Sequence, residues 1–366
     1  TQLLSGKFNP STGTKVDFKR PHDYNSIRST GGDISAAAKS DIIAGKATGT
    51  VQPYFTSATE WSNIQEALEL DQLDQILEPM ARRLVTDLEL DLAKFMRINT
   101  GLNYGARGTA VDAWSDVAGA GAMMDSVGVP MSDNKYYLMN PFTTTSLASA
   151  QSGLNAADGL VRTAFEKAQI ASNFGGMKAL TSNALSSYTS GSTTDRLGDL
   201  KTAPDATYVT AKDTMQQTMV IETLGTGTIE AGDQIQVAGV NRLNIATRQL
   251  ILDATGAAVP WTGTVLSVVT IAGNEATVVV SGAAIYEANG QYNNVDAAPA
   301  AGAVVTILGA ANTVYQPNLF YTEQAFGLGT VKLPKLYSTD TVATTSDGMS
   351  IRVSKYSDGD ANTQKI

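Results

Sequence analysis

The chain contains no cysteine, so neither a disulfide framework nor a thiolate metal site can contribute to it. Histidine is reduced to a single copy, His22, on a polar stretch beside Pro21 and Asp23. A Ser-His-Asp arrangement and a zinc centre both draw on histidine, and one surface residue supplies neither. Charged residues make up 17% of the 366, below the usual quarter. Tryptophan is limited to Trp61, Trp114 and Trp261, scattered along the chain, and no internal repeat is visible. No apolar run reaches the ~18 residues of a membrane-crossing helix, and no signal peptide is seen. Basic residues are in deficit: the net charge of −9 argues against a dedicated nucleic-acid binder, which would show a basic face. The chain starts at Thr1 without Met and stops at Ile366 in mid-pattern, so both ends are expected to be trimmed.

The motifs that could bear chemistry are equally sparse. Asp87 with Glu89, and Glu89 with Asp91, stand at i,i+2 spacing, which sends the members of each pair to different faces of a helix. Asp358-Gly359-Asp360 is too little for a calcium loop. Gly225, Gly227 and Gly232 do not lead into a helix and so do not form a phosphate-cradling loop. The residues therefore point away from an enzyme, a cofactor and a metal.

What is present is an amphipathic helix from Asp74 to Ile98. Apolar residues fall at Ile76, Leu77, Met80, Leu84, Val85, Leu88, Leu92, Phe95 and Met96, a 3.6-residue stripe. Pro79 is tolerated in a first turn, which places the start of the rigid part near Glu78. From there to Ile98 the rod is roughly 30 Å long, and Gly101 is placed to stop it.

At this length the chain has room for two or three domains, and a mixed α+β organisation follows from the order of its patterns. Residues 1–55 read as an extended arm of two strands, Lys15 to Arg20 and Thr50 to Phe55, joined by a polar crossing; a solvated loop is the alternative. Its first fifty residues hold seven Lys or Arg against four Asp or Glu, whereas residues 60–98 hold four against nine. Lys15, Lys19, Arg20 and Arg28 are thus candidates to lie on an acidic partner, and Asp74, Glu78, Asp87 and Asp91 are the acidic candidates on the helix. Residues 56–135 contain the long helix, as a spine at 76–98, and a second helix at 111–127. Residues 136–206 follow with a strand from Lys135 to Met139, a helix capped by Asn140 with Pro141 at its first position, an amphipathic segment from Asp158 to Ile170, a strand from Met177 to Leu180, and a connection from 186 onward. From 207 to 315 no good helix is seen, and short strands alternate with turns, as in a small barrel or sandwich. Candidate strands are Met219–Thr223, Gln234–Gly239, Gly263–Ile271, Ala276–Ser281 and Ala303–Leu308, with a Gly-Asn hairpin at Gly273-Asn274. Residues 316–366 return to strand-like sequence, which makes the β-rich block an insertion.

Three stretches carry a family resemblance. The junction Tyr136-Tyr137-Leu138-Met139-Asn140-Pro141, the segment Asn318 to Leu328, and the strand Ile351 to Tyr356 followed by Asp358-Gly359-Asp360 are similar to parts of tailed-bacteriophage major capsid proteins of the Hong Kong 97 fold. Glu230 to Val240 resembles a strand of the β-barrel inserted in the coat proteins of short-tailed Salmonella phages. The early barrel hairpin, which in that relative reaches a neighbouring capsomer, is short here, around Thr210–Thr218. The strand closing the last hairpin is expected beyond Ile366.

The resemblance implies an α+β capsid fold with an extended loop, a spine helix, peripheral and axial domains and an inserted barrel. It implies a shell of hexamers and pentamers of this chain around phage double-stranded DNA, contacted without sequence preference. A scaffolding protein and a portal are implied partners, a membrane is not, and the place is the virion, after assembly in the host cytoplasm. The rival reading is a virion tail or surface β-protein, or an adhesin, binding a receptor or glycan.

Overall fold

A computed structural model describes residues 2–3, 13–37, 39–62, 74–152, 167–168, 170–344, 349–360 and 363–366. The chain divides into two compact units. One comprises Thr1–Val16, Gly49–Ala93 and Glu323–Ile366, the other Asp17–Thr48 and Lys94–Thr322.

The arm pairs two strands, β1 (Lys15–Lys19) and β2 (Lys46–Thr50). Residues alternate between exposed and half-buried along both, as one covered face requires. The returning strand thus lies earlier than the expected Thr50–Phe55, ending before Pro53, which has no N–H for a ladder. A short strand β3 (Glu60–Ser62) follows.

Helix α1 runs over Asp74–Ile98, with Pro79 inside it. The helix therefore begins a turn before Glu78, and the single N–H missing at Pro79 does not break it. Exposed i,i+4 ion pairs, Glu78 with Arg82 at 2.5 Å and Asp87 with Arg83 at 3.0 Å, add a few tenths of a kcal/mol each. Helix α2 (Trp114–Val127) starts where the Asp116 carboxylate accepts the Ala113 N–H at 3.1 Å, and it ends at Gly128 with φ 112, a left-handed cap.

Strand β4 (Lys135–Met139) leads into helix α3 (Pro141–Ser152) through Asn140, whose Oδ1 accepts the Phe142 N–H at 2.8 Å, as the N-cap reading expects. The amphipathic segment expected at 158–170 falls mostly on residues 153–166 and 169, outside the described residues. Strands β5 (Asn173–Phe174) and β6 (Met177–Thr181) follow, β6 parallel to β4 with Tyr136 opposite Lys178. The inward residues Tyr137 and Met139 of β4 pack with Val117, Ala120 and Met124 of α2 and Leu147 of α3 into one core. The small residues Ala120 and Gly121 let α2 approach β6 closely.

The insertion is a closed six-stranded barrel. Its strands are β7 (Leu197–Leu200), β8 (Gln216–Glu222), β9 (Gln234–Asn241), β10 (Pro260–Val265), β11 (Ala276–Ser281) and β12 (Val304–Ile307), joined in the order β8-β11-β10-β9-β12-β7. Closure removes the free edges that an open sheet would expose. β7 lies in the stretch read as a connection, so the barrel's strands begin before residue 207. A four-residue helix, Tyr208–Ala211, also precedes β8, in a region expected to hold none. The alternation of β8 and β11 sends Met219, Ile221, Val278 and Val280 inward onto Ile235, Trp261 and Ile307. Gln217, the one polar side chain that β8 turns inward, is satisfied by the Ala284 N–H at 3.0 Å and the Asp205 carbonyl at 2.9 Å. A Cβ on Gly263 would collide with the Trp261 ring, so this position holds the residue without one. The Gly273-Asn274 hairpin has φ 62 and 63, the positive values that a type I′ turn needs.

The chain then returns to the sheet it left: β13 (Leu319–Thr322) pairs antiparallel with β4, Leu319 opposite Leu138. In the first unit β14 (Tyr356–Asp358) and β15 (Thr363–Lys365) form a hairpin, and β15 pairs with β3, Gln364 opposite Trp61. The expectation that the closing strand lies beyond Ile366 is therefore wrong. Asp358 stands opposite Thr363, so the chain is already paired back before Ile366, and the polar alternation of Thr363–Lys365 hides it as a strand.

Truncating Ile235→Ala removes fully buried methylenes and is expected to destabilise the barrel by about 2–5 kcal/mol, read as a lowered midpoint in urea unfolding. Val304→Ala, on the outer face at 43% exposure, is expected to stay within about 0.5 kcal/mol.

Candidate assembly surface

The basic candidates occupy the arm and differ in surroundings. Lys15 and Lys19 are exposed on one face of β1, and Arg28 is exposed in the crossing. None of the three has an ion-pair partner among the described residues. Arg20 is half-buried and donates Nε–H to the Lys46 carbonyl at 3.2 Å, which fixes the arm on itself. Lys46 pairs with Asp17 across the two strands at 3.0 Å, and the ammonium is held above its ordinary range, chiefly by that hydrogen bond.

The middle of the arm folds onto its own barrel. Asp23 pairs with Arg248, and Asn25 donates to the Asn289 carbonyl at 2.8 Å. Gln291 donates to the Asp41 carbonyl at 2.6 Å. Ile43 packs against a small core of Tyr208, Ala211, Ala283 and Ile285, where the Tyr208 and Tyr292 rings stack at 3.7 Å. These groups give an arm too polar for a core of its own a set of anchors. Its backbone carbonyls, rather than its side chains, supply most of the acceptors, and sequence pattern carries no signal for that.

On α1 the acidic candidates are already partly engaged. Glu78 and Asp87 pair with Arg82 and Arg83 of the same helix, and Asp74 stands at its start, its side chain outside the described residues. Asp91 and Glu89 are exposed and have no ion-pair partner among the described residues. The apolar stripe is also incompletely covered: Val85 is 49% and Phe95 54% exposed, against 4% for Met96.

The last turn of α1 enters a cluster that sequence reasoning did not single out. Arg97, 8% exposed, donates to Ser186 Oγ and to the Ala231 carbonyl, both at 3.3 Å, and its guanidinium lies 4.4 Å from the Tyr188 ring centre. Arg107 lies 5.5 and 5.8 Å from the Tyr188 and Tyr315 rings and donates to the Gly232 carbonyl at 3.2 Å. Burial pulls Arg107 down to about 10, against the opposing pull of Asp233. Arg196 completes the group 3.9 Å from the fully buried Asp233. Gly232, at φ 101, makes room: a Cβ there would strike the Arg97 guanidinium. Close by, Arg242 donates to the carbonyls of Gly101 and Thr262, and burial lowers it too to about 10. Arg107 and Arg242, at about 10, stay charged at neutral pH, and the guanidinium groups act together as pins between loops. The one available signal was a pair of arginines, Arg97 and Arg107, bracketing the helix stop at Gly101.

Among the described residues no group of acidic or histidine side chains could hold a metal ion, and no helix is long and apolar enough to cross a membrane.

A family model described as the P22 coat protein, gene protein 5, matches residues 1–366. The chain is 46% identical over 370 residues to the major capsid protein of Acyrthosiphon pisum secondary endosymbiont phage 1, spanning 100% of this chain and 87% of that protein. Among solved structures it is similar to one from Mycobacterium phage Che8, with 15% identity, 73% of this chain and 80% of that chain covered, and a TM-score of 0.37. It is also similar to the capsid of cyanophage P-SCSP1u, with 15% identity, 86% and 84% covered, and a TM-score of 0.36. Those scores are too low for superposition to bear on the fold. The full-length match, the closeness of the relative and the barrel inserted into an α+β core all agree, and they displace the tail-protein and adhesin reading. The chain belongs to the P22 coat protein family: it is a phage major capsid protein, part of the multi-copy shell of the virion, from a family of structural proteins and not of enzymes.

Proposed function

We propose that the shell is held in register by the arm of one copy lying along α1 of the next, Lys15, Lys19 and Arg28 facing Asp91 and Glu89. The observation that carries this reading is the exposure of Val85, an apolar position on the face of α1 that is 49% open in the single chain, on a helix whose pattern suits a further contact. The exposed cations of β1 support it, since charges across such a contact select register and speed encounter more than they add affinity. Glu78 and Asp87 can join by exchanging partners, because exposed i,i+4 pairs are worth only a few tenths of a kcal/mol. The clasp between the arm's middle and its own barrel leaves the β1 face open and limits how far it swings.

Six- and five-fold capsomers, a scaffolding protein, a portal and double-stranded DNA inside complete the assembly. With a net charge of −9, contact with DNA is non-specific and local.

Reversing Lys15→Glu, Lys19→Glu and Arg28→Glu together is expected to slow assembly by about tenfold at low salt, with the difference narrowing as salt screens it. Light scattering and negative-stain micrographs of the full chain read this, and equal shell formation at every salt concentration would overturn the contact. Leu88→Ala, half-buried in the single chain, is expected to cost the unassembled protein about 1 kcal/mol. A larger loss of shell stability, measured by urea dissociation, is expected because burial is completed by the neighbour.

A further inference from the structure

A cavity of about 590 Å³ opens beside the arginine–tyrosine cluster, within the second unit. Lys94 and Arg97 line it from the end of α1, and Ser187, Tyr188 and Ser192 line it from the segment before the barrel. Tyr188 is 9% exposed, and its hydroxyl is buried without a hydrogen-bond partner. Behind it, Nη1 of Arg196 is buried without a partner as well.

The charges here do not balance. Three guanidinium groups, of Arg97, Arg107 and Arg196, surround a single carboxylate, Asp233. Its Oδ2 is already committed to the N–H groups of Gly191 and Glu230, at 2.9 and 3.0 Å. At the cavity Lys94 and Glu230 add one charge of each sign, and the Glu230 carboxylate already accepts from Thr228 at 3.2 Å. Two positive charges remain in excess, in a setting where desolvation makes unpaired charge costly. An anion in the cavity would offset them. Its lining fits one kind best, an anion with several oxygens that can accept from ammonium, guanidinium and hydroxyl donors at once.

We propose that this cavity binds a phosphate group, with Lys94 and Arg97 facing its charge and the hydroxyls of Ser187, Tyr188 and Ser192 donating to its oxygens. The bound anion braces the junction of helix end and barrel that Arg97 makes. The phosphate comes either from the free ion or, if the chain encloses DNA as proposed above, from the DNA backbone.

The test uses the full chain and inorganic phosphate, titrated against chloride at constant ionic strength and followed by thermal unfolding and by phosphorus-31 line width. A saturable rise in Tm with phosphate, absent with chloride, is expected. Lys94 is exposed, so Lys94→Gln should fold normally with an unchanged Tm in chloride. It is expected to weaken phosphate binding by about tenfold, the loss of one charge-assisted contact. Tyr188→Phe, which keeps the ring under Arg97, is expected to weaken it as well. No saturable effect in the wild-type chain, or binding unchanged in Lys94→Gln, would overturn the site. A short DNA duplex that displaces phosphate from the wild-type chain but not from Lys94→Gln supports the site and assigns it to packaged DNA. A duplex that leaves bound phosphate in place supports the site and assigns it to the free ion. Assembly of the arm-reversed variant is measured separately, so failure of the arm contact and failure of this site are distinguishable.

Discussion

Buried guanidinium groups hold together the parts of the second unit that the chain leaves far apart. Arg97 ends the longest helix, Arg107 lies beyond its stop, Arg196 precedes the first barrel strand, and all three converge on Asp233 at the start of β9. A charge of this kind must be hydrogen-bonded or paired once water is removed. The loops around it therefore present carbonyls, those of Ala231, Gly232, Gly309 and Ala310, at hydrogen-bond distance. A side chain on Gly232 would abolish the arrangement, which is why backbone and guanidinium meet there directly.

This constraint explains how a barrel can be inserted without loosening the sheet that hosts it. β4 and β6 precede the insertion and β13 follows it, yet β13 takes its place beside β4 in full register. The barrel has its own closed hydrogen-bond network and its own apolar core, so it asks nothing of that sheet for stability. Its attachments are polar and directional: Arg97 and Arg107 donate to the Ala231 and Gly232 carbonyls, and Arg242 and Thr262 donate to the Gly101 carbonyl. Directional contacts fix orientation, whereas apolar contacts alone would permit sliding.

A coat protein has to offer the same surfaces to many copies of itself while staying folded alone. The chain separates the two demands. Stability rests in the barrel and in the α2–β4–α3 core, where the inward side chains are almost wholly buried. Lys15 and Lys19 of β1 and Val85 of α1 stay exposed, and in the proposed contact these are the surfaces offered. Exposed ion pairs along α1 keep that surface soluble and are weak enough to be exchanged.

Local pattern alone was enough for α1, β4, the Asn140 cap, the Gly273-Asn274 turn and β11, because each depends on periodicity or turn chemistry within a few residues. The capsid reading was legible for the same reason, from short strand and turn segments in a recognisable order. β2, β7 and β15 were misplaced or unseen, since they are short, polar strands defined by the partner they pair with. The clasp of Asp23, Asp41 and Ile43 on the barrel, and the arginines gathered at Asp233, join residues up to 269 positions apart, mostly through backbone carbonyls that every residue possesses. Periodicity along the chain is enough to locate the rod and the barrel's apolar alternation, because those are one-dimensional repeats. Which charges are buried together follows from the fold alone, because that depends on which loops meet in space.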